Sequence, residues 1–176
     1  MNATLLSGMN EHLKLEFKAS HEYLAMSVWL SGHDLPGFAS WMRKQSGDEL
    51  LHAQKFVDHM VERDQKVVLP AVAQPPMTWE SVEALCTHLL QNEQAVTASI
   101  NELYAQAEAT KDRPAVLLLQ WFVNEQMEEE AAARALLGRI RLGGQTGVGM
   151  LMIDQELAKG AVPGMPTSPT SGGAAA

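Results

Sequence analysis

Glu49 and His52 are the pair of residues in this sequence whose types and spacing most directly indicate chemistry. On a helix, residues three apart share one face and lie about a turn from each other. Alternating steps of four and three residues, taken in both directions from this pair, give a stripe that is apolar at its ends. The stripe consists of Phe38, Met42, Gln45, Glu49, His52, Phe56 and His59. Because a buried carboxylate is costly unless it is paired or bound to a metal, the stripe predicts a cation beside Glu49.

Three other segments carry stripes of the same kind, each with a glutamate near its midpoint. They span residues 9–30 around Glu16, residues 82–107 around Glu93 and residues 119–140 around Glu129. Each stripe is typical of the inward face of a bundle helix. If four such helices pack side by side, their central carboxylates meet at one level. Four carboxylates at matching heights, together with the E-x-x-H pair, predict a dimetal carboxylate site inside a four-helix bundle.

Composition is consistent with one all-helical domain. The 176 residues are rich in Ala, Leu, Glu, Gln and Met, and only 6% are aromatic. The formal net charge of −8 argues against nucleic acid and anionic membranes as partners. The single cysteine, Cys86, excludes an intrachain disulfide. We see neither a secretory signal pattern nor eighteen consecutive apolar residues, so we expect a cytoplasmic protein without a membrane span.

Periodicity and breaker residues predict four long helices and a short fifth one. The first helix runs from Thr4 or Ser7 to about Ser31, and the second from about Phe38 to Asp64. The third runs from a cap at Thr78, or alternatively Ser81, to about Thr110, and the fourth from a first turn containing Pro114 to about Leu142. The short fifth helix covers residues 147–159. The connection over residues 65–78 is long enough to cross the bundle and leave the second and third helices parallel. Residues 1–160 then form one domain, followed by a disordered tail over residues 161–176.

Three segments resemble the non-haem bacterial ferritins. They are residues 10–16 (NEHLKLE) followed by Tyr23, residues 48–52 (DELLH) and residues 120–130 (QWFVNEQMEEE), and the resemblance extends over roughly residues 5–159. It implies a ferritin-like all-α bundle that stores iron. In that family Fe(II) is oxidised by dioxygen at a di-iron ferroxidase centre within each subunit. The ferric product is kept as mineral in an octahedral cage of 24 subunits, with the fifth helix at the fourfold axes.

The resemblance also implies a ligand set for two iron ions. Glu49 bridges both ions, Glu16 and His52 complete the A position, and Glu93 and Glu129 complete the B position. Fe(II) accepts carboxylate and imidazole ligands. A symmetric centre would need E-x-x-H on the fourth helix as well, but this chain has Gln126 and Glu129 there. We count Gln126 with Glu129 among the residues of the di-iron site. The B iron is then held by oxygen alone and is the more weakly bound, which suits a protein that passes its ferric product on to a store.

Further acidic residues lie beside the predicted centre. Asp48, Glu125 and Glu128 are interpreted either as a solvated acidic face or, from the resemblance, as a third iron site that shares Glu129. Tyr23 lies two turns after Glu16 on the same face. We expect it to hydrogen-bond a carboxylate such as Glu93, to donate an electron during oxidation, or to do both, with Trp121 nearby.

Other positions bear on haem, on the remaining histidines and on iron access. Leu50 stands where bacterioferritins carry the haem-ligating methionine, so we expect no haem. We expect five histidines without partners at ligand spacing to be surface or hydrogen-bonded residues: His12, His21, His33, His59 and His88. The region around Val116 and Leu119 lacks the acids that line threefold channels in many ferritins, which makes iron access by that route doubtful.

Two alternatives to an iron-storing ferroxidase remain open on the sequence. One is a peroxide-consuming di-iron protein of the rubrerythrin or mini-ferritin type that stores little iron. The other, from a different class, is a metal-free acidic helical interaction protein. That second alternative leaves the buried glutamates unexplained.

Overall fold

The computed structural model describes residues 1–143 and 147–160. These residues form five helices: α1 (Ala3–Ser31), α2 (Pro36–Glu62), α3 (Val82–Ala109), α4 (Arg113–Gly143) and α5 (Gly147–Ala158). The predicted all-α class is confirmed. Within the described ranges, no helix is both long and apolar enough to cross a membrane. The tail predicted to be disordered lies outside the described residues.

Two apolar clusters fill opposite ends of the bundle. One joins the end of α1, the starts of α2 and α3, the end of α4 and the inner face of α5; the other joins the start of α1, the ends of α2 and α3 and the start of α4. Because α2 and α3 both begin in the first cluster, they run parallel, as predicted. The connection between them therefore spans the bundle, with Val67 packed against the second cluster and Trp79 against the first.

The helix starts show where local signals act and where they are overridden. Asn2 caps α1 by accepting a hydrogen bond from the Thr4 amide at 2.7 Å, so the helix begins slightly before the predicted Thr4 or Ser7. Of the two predicted caps for α3, Ser81 is correct, since its Oγ accepts from the Ala84 amide at 3.0 Å. The preferred prediction of Thr78 is wrong, because residues 78–80 belong to the connection that carries Trp79 onto the core.

The start of α2 is capped by a residue from α5. Leu35 precedes α2 and offers no side-chain cap, and Pro36 occupies its first turn. The amide of Phe38 donates instead to Oδ1 of Asp154 at 2.9 Å, a contact between residues 116 positions apart in the chain. A Cβ on Gly37 would lie 1.9 Å from the backbone oxygen of Asp154, so only glycine allows this approach. The fifth helix is therefore fixed to the bundle by a polar cap as well as by its apolar face.

Candidate metal centre

A polar layer separates the two apolar clusters. Glu16 of α1, Glu49 and His52 of α2, Glu93 of α3 and Gln126 of α4 all lie in it and are at most 3% exposed. Glu129 of α4 belongs to the same layer and is partly buried. Each helix contributes its polar residues at its midpoint, where its stripe passes from one cluster to the other. The helical periodicity therefore places the carboxylates at one level, as the stripes predict.

The A-position residues form a compact group. Ligand atoms of Glu16, Glu49 and His52 all lie within 4.8 Å of one another, and no other group of three in the described part of the chain meets this criterion. Nδ1 of His52 lies 3.4 Å from Oε2 of Glu49 and 3.9 Å from Oε2 of Glu16. Two carboxylates and an imidazole at these distances match the ligand types that Fe(II) accepts.

The B-position residues are held by hydrogen bonds to neutral donors. Tyr23 donates its hydroxyl proton to Oε1 of Glu93 at 2.5 Å, and Nε2 of Gln126 donates to Oε2 of Glu93 at 3.3 Å. Nε2 of Gln45 donates to Oε2 of Glu129 at 2.7 Å. The predicted contact between Tyr23 and Glu93 is thus present. The B residues are oriented but do not converge on one point as closely as the A residues.

Several buried polar atoms in the layer have no hydrogen-bond partner in the protein. Of six such side-chain atoms among the described residues, five belong to Glu16 (Oε2), Glu49 (both oxygens), His52 (Nδ1) and Gln126 (Oε1). A buried acceptor without a partner costs about 1–3 kcal/mol, more if it is charged. A bound cation would satisfy the carboxylate oxygens and the imidazole nitrogen together, so the donor set fits a metal.

Burial governs the protonation of the four carboxyls. It raises the pKa of Glu16 and Glu93 to about 7, and the pKa of Glu49 and Glu129 to about 8. Like charges add to this effect, since Glu49 raises the pKa of both Glu93 and Glu129. Without a cation the layer therefore retains protons near neutral pH, and a metal must displace them to bind.

His52 responds in the opposite direction from an isolated buried histidine. Burial would lower its pKa, but Glu49, and after it Glu16, favour the charged ring and raise the pKa to about 9. Without metal, Glu16, Glu49 and His52 therefore influence one another's protonation. The positive charge of the imidazolium partly offsets the negative charge of the carboxylates. A divalent ion would take over that compensating role.

Metal-free protein is expected to lose stability as the pH rises from about 6.5 to about 9. The carboxyls in the layer have folded-state pKa values of about 7–8 against the ordinary 4.5, so the folded state holds more protons in this window. The raised pKa of His52 acts in the same direction, because its contribution is lost as pH rises through about 9. Thermal unfolding followed by circular dichroism, with a chelator present, should give a lower midpoint at the higher pH.

Glu49→Gln supplies the control for this pH effect. It removes one titrating carboxyl, so the fall in the unfolding midpoint should become smaller than in the wild-type protein. A wild-type midpoint that stays level or increases between the two pH values would contradict the raised carboxyl pKa values.

The proposed third-site residues lie at the border of the layer. Asp48 has a side chain that is 32% exposed, and its Oδ2 lies 3.7 Å from Nζ of Lys44. The side chain of Glu125 is 31% exposed, with Oε1 4.0 Å from Nε2 of His52. Glu128 is exposed. Glu125 therefore adjoins the A position, Asp48 lies beside Lys44 and Glu128 is exposed, and the third site stays a prediction.

The other histidines differ widely in environment. His12 is 1% exposed and bonded to Glu16, and burial lowers its pKa to about 3. His88 accepts a hydrogen bond from the indole of Trp79 at 3.2 Å and lies 3.2 Å from Oε2 of Glu22. His59 lies 3.1 Å from Nη1 of Arg63. The hydrogen-bonded interpretation holds for these three.

Two residues at the layer were assigned no role from the sequence. Gln45 lies in the stripe of Glu49, one turn before it, and its polarity at a core position was the available signal. His12 lies four residues before Glu16, the spacing of direct neighbours on a helix. Trp121, which was expected nearby, packs beside His52, with ring centroids 5.6 Å apart, and Nζ of Lys55 lies 4.4 Å from the centroid of its ring.

The chain is similar to known proteins in sequence and in fold. A family model described as Ferritin-like domain matches residues 6–143. The bacterial non-heme ferritin of Escherichia coli O157:H7 is 32% identical over 154 residues, covering 88% of this chain and 93% of the relative. That of Campylobacter jejuni is 34% identical over 147 residues, covering 84% and 88%. A solved ferritin of the archaeon Archaeoglobus fulgidus, described as having an open pore, is similar with a TM-score of 0.87 at 36% identity, covering 90% of this chain and 96% of its own.

Proposed function

The chain belongs to the ferritin family, and from that premise we propose that it is an iron-storing ferroxidase. Family membership supports iron storage as the general function. Our proposal goes further: each chain binds two Fe(II) ions in the polar layer, oxidises them with dioxygen, and delivers the ferric product to a mineral inside a protein cage. A cytoplasmic location, where Fe(II) is available, is part of the proposal.

One observation carries this proposal above all others. Glu16, Glu49 and His52 each bring one buried ligand atom to within 4.8 Å of the other two, and four side-chain atoms of these three residues have no hydrogen-bond partner in the protein. An interaction protein without metal would leave these groups buried at a high cost in free energy. A cation-binding role removes that cost, which is why we set aside the metal-free alternative.

We assign the ligands by position in the layer. Glu16 and His52 would hold the A iron, Glu93 and Glu129 the B iron, and Glu49 would bridge the two. Gln126, whose amide group donates to Glu93 and whose Oε1 has no partner, would support the B position. Two Fe(II) ions supply two electrons together, which reduce one dioxygen to the peroxide level. Holding both ions on one bridging carboxylate allows that paired transfer.

We propose that Tyr23 assists the same reaction through its hydrogen bond to Glu93, without binding iron itself. Burial and the neighbouring Glu93 raise its pKa well above the ordinary value, so it remains a protonated phenol that donates to Glu93. A phenol in this position orients the B ligand and can give one further electron and its proton. We propose that Asp48, Glu125 and Glu128 form a third, more exposed iron site, which iron occupies as it leaves the paired site.

A peroxide-consuming di-iron protein is the second candidate. The asymmetry of the centre argues against it, because the B position has oxygen ligands only and is suited to releasing its iron. A permanently bound redox pair would favour nitrogen ligands on both sides. Haem is not part of the proposal, since Leu50 occupies the position of the haem ligand and has no group that binds iron.

Assembly and iron loading test the proposal together. Purified protein is expected to form a particle of about 460 kDa, which corresponds to 24 chains of 19.2 kDa. Light scattering coupled to size exclusion measures the mass, and titration with Fe(II) in air measures oxidation and retention. A stable monomer or dimer with α5 intact would contradict the cage. A cage that consumes Fe(II) faster with peroxide than with air, and retains little iron, would favour the second candidate.

A further inference from the structure

His12 is a buried residue that contacts the metal centre and has no role in the proposed chemistry so far. It lies on α1 one turn before Glu16, and only 1% of its surface is exposed. Nε2 lies 2.6 Å from Oε1 of Glu16, and Nδ1 lies 2.9 Å from the hydroxyl oxygen of Ser99 on α3. Both ring nitrogens are thus in hydrogen bonds, and one of the partners is a proposed iron ligand.

The direction of these hydrogen bonds follows from metal binding. Glu16 must be a carboxylate to bind iron, and a carboxylate can only accept hydrogen bonds. His12 therefore donates its Nε2 proton to Oε1 of Glu16. Ser99 can donate its hydroxyl proton to Nδ1 and thereby hold the ring in this tautomer, as a second residue often does for a histidine near a metal.

The two oxygens of Glu16 then differ. Oε1 is engaged by His12, while Oε2 has no hydrogen-bond partner and lies 3.9 Å from Nδ1 of His52, inside the A group. One oxygen is turned to the supporting histidine, and the other to the position of the metal. This arrangement favours coordination through Oε2 alone.

Aromatic side chains keep the His12 ring in place. Its centroid lies 4.5 Å from that of Phe56 and 6.4 Å from that of Phe122, and the two phenyl rings are 4.6 Å apart. Packing of this density disfavours reorientation of the ring. Since Oε1 cannot easily exchange His12 for another partner, the one-sided orientation of Glu16 is built into the fold.

We propose that His12 is a positioning residue that restricts Glu16 to one-oxygen coordination of the A iron and so keeps a coordination position of that iron open for the oxidant. This inference rests on the proposed iron centre. His12 acts through Glu16 and does not itself bind the metal or the oxidant. A Glu16 free to chelate with both oxygens would fill the open position and slow the reaction of the ion with dioxygen.

Cobalt(II) in place of Fe(II) makes the coordination visible, because its absorption depends on the number and geometry of ligands. Full-length apoprotein is titrated with cobalt(II) alone. His12→Phe keeps a ring but removes both hydrogen bonds, and His12→Met is a second variant without a donor. His12→Gln offers an amide donor to Glu16 and is the conservative rescue. Light scattering on every variant verifies assembly, and whichever donor-free variant assembles is used.

The donor-free variant is expected to lose intensity in its visible cobalt bands, because six-coordination replaces a lower coordination number. Its oxidation of the first two Fe(II) ions should slow by about 10- to 100-fold, the range for removing a partner of a metal ligand. The apparent KM for Fe(II) should change little, because Glu16 remains a ligand. His12→Gln should restore both the spectrum and the rate to within about threefold of wild type.

Different outcomes of the cobalt titration would refute the iron centre and the role of His12. Wild-type protein that binds no cobalt(II) would refute the iron centre itself. Wild-type protein that binds two ions per chain, with cobalt spectra unchanged in the donor-free variant, would overturn only the role of His12. A His12→Gln variant as slow as the donor-free one would also overturn it, since the histidine would then matter for its shape and not for its donated proton.

Discussion

Glu49→Ala is expected to abolish the fast oxidation of the first two Fe(II) ions per chain. Glu49 is the proposed bridging ligand, and both its oxygens are buried without a hydrogen-bond partner. Without it the two ions lose their shared ligand and no longer deliver two electrons to one dioxygen. We expect the initial rate to fall by about 100-fold or more, beyond the loss seen for a residue that only supports a ligand. Stopped-flow absorbance of the ferric product at two irons per chain measures this rate.

The fold should survive this substitution. Burial, together with the nearby carboxyl of Glu16, raises the pKa of Glu49 to about 8, so its charged form is unfavourable in the metal-free layer. Alanine there removes a buried polar group whose two oxygens have no hydrogen-bond partner. Glu62→Ala, which removes an exposed carboxylate near the end of the same helix, is the matched control and should oxidise iron at the wild-type rate. If Glu49→Ala oxidised its first two irons as fast as wild type, the assignment of the paired site would be wrong.

Helical periodicity makes the polar layer largely predictable from the sequence. A glutamate interrupts the apolar stripe at the midpoint of each long helix, and a single register rule brings Glu16, Glu49 and Glu93 to one height. Burial of a carboxylate is so costly that the presence of several at core positions is informative by itself. The parallel arrangement of α2 and α3 was predictable for a similar reason, because the length of the connection leaves few ways to join them.

Contacts between residues far apart in sequence were not predictable in the same way. Gln45 lies in the stripe of Glu49, but its bond to Glu129 depends on side-chain geometry across helices. His12 lies beside the stripe of Glu16, and its burial against Ser99 of α3 could not be read from its own helix. The choice of Ser81 over Thr78 as the cap of α3 was decided by Trp79, whose packing on the core extends the connection. Asp154 is the extreme case, since nothing near Phe38 in the sequence points to a cap supplied by α5.

Gly37→Ala is expected to detach α5 from the bundle, because the new Cβ would lie 1.9 Å from the backbone oxygen of Asp154. A backbone atom cannot move aside without shifting the whole helix. The shift breaks the hydrogen bond from the Phe38 amide to Asp154, whose loss at a helix start costs about 0.5–2 kcal/mol. It also exposes Ile153 and Leu157, now at most 7% exposed, whose burial contributes about 1.5–3 kcal/mol each.

Thermal unfolding and limited proteolysis within α5 measure its detachment. Light scattering measures whether the proposed cage, which includes this helix, still assembles. We expect a lower midpoint, faster cleavage and loss of the large particle. Gly47→Ala is the matched control, because Gly47 lies on the same helix with no atom within 4 Å of a new Cβ. Alanine there should stabilise the helix by roughly 0.5–1 kcal/mol. If Gly37→Ala assembled and melted like Gly47→Ala, the close contact between α2 and α5 would not be what holds the fifth helix in place.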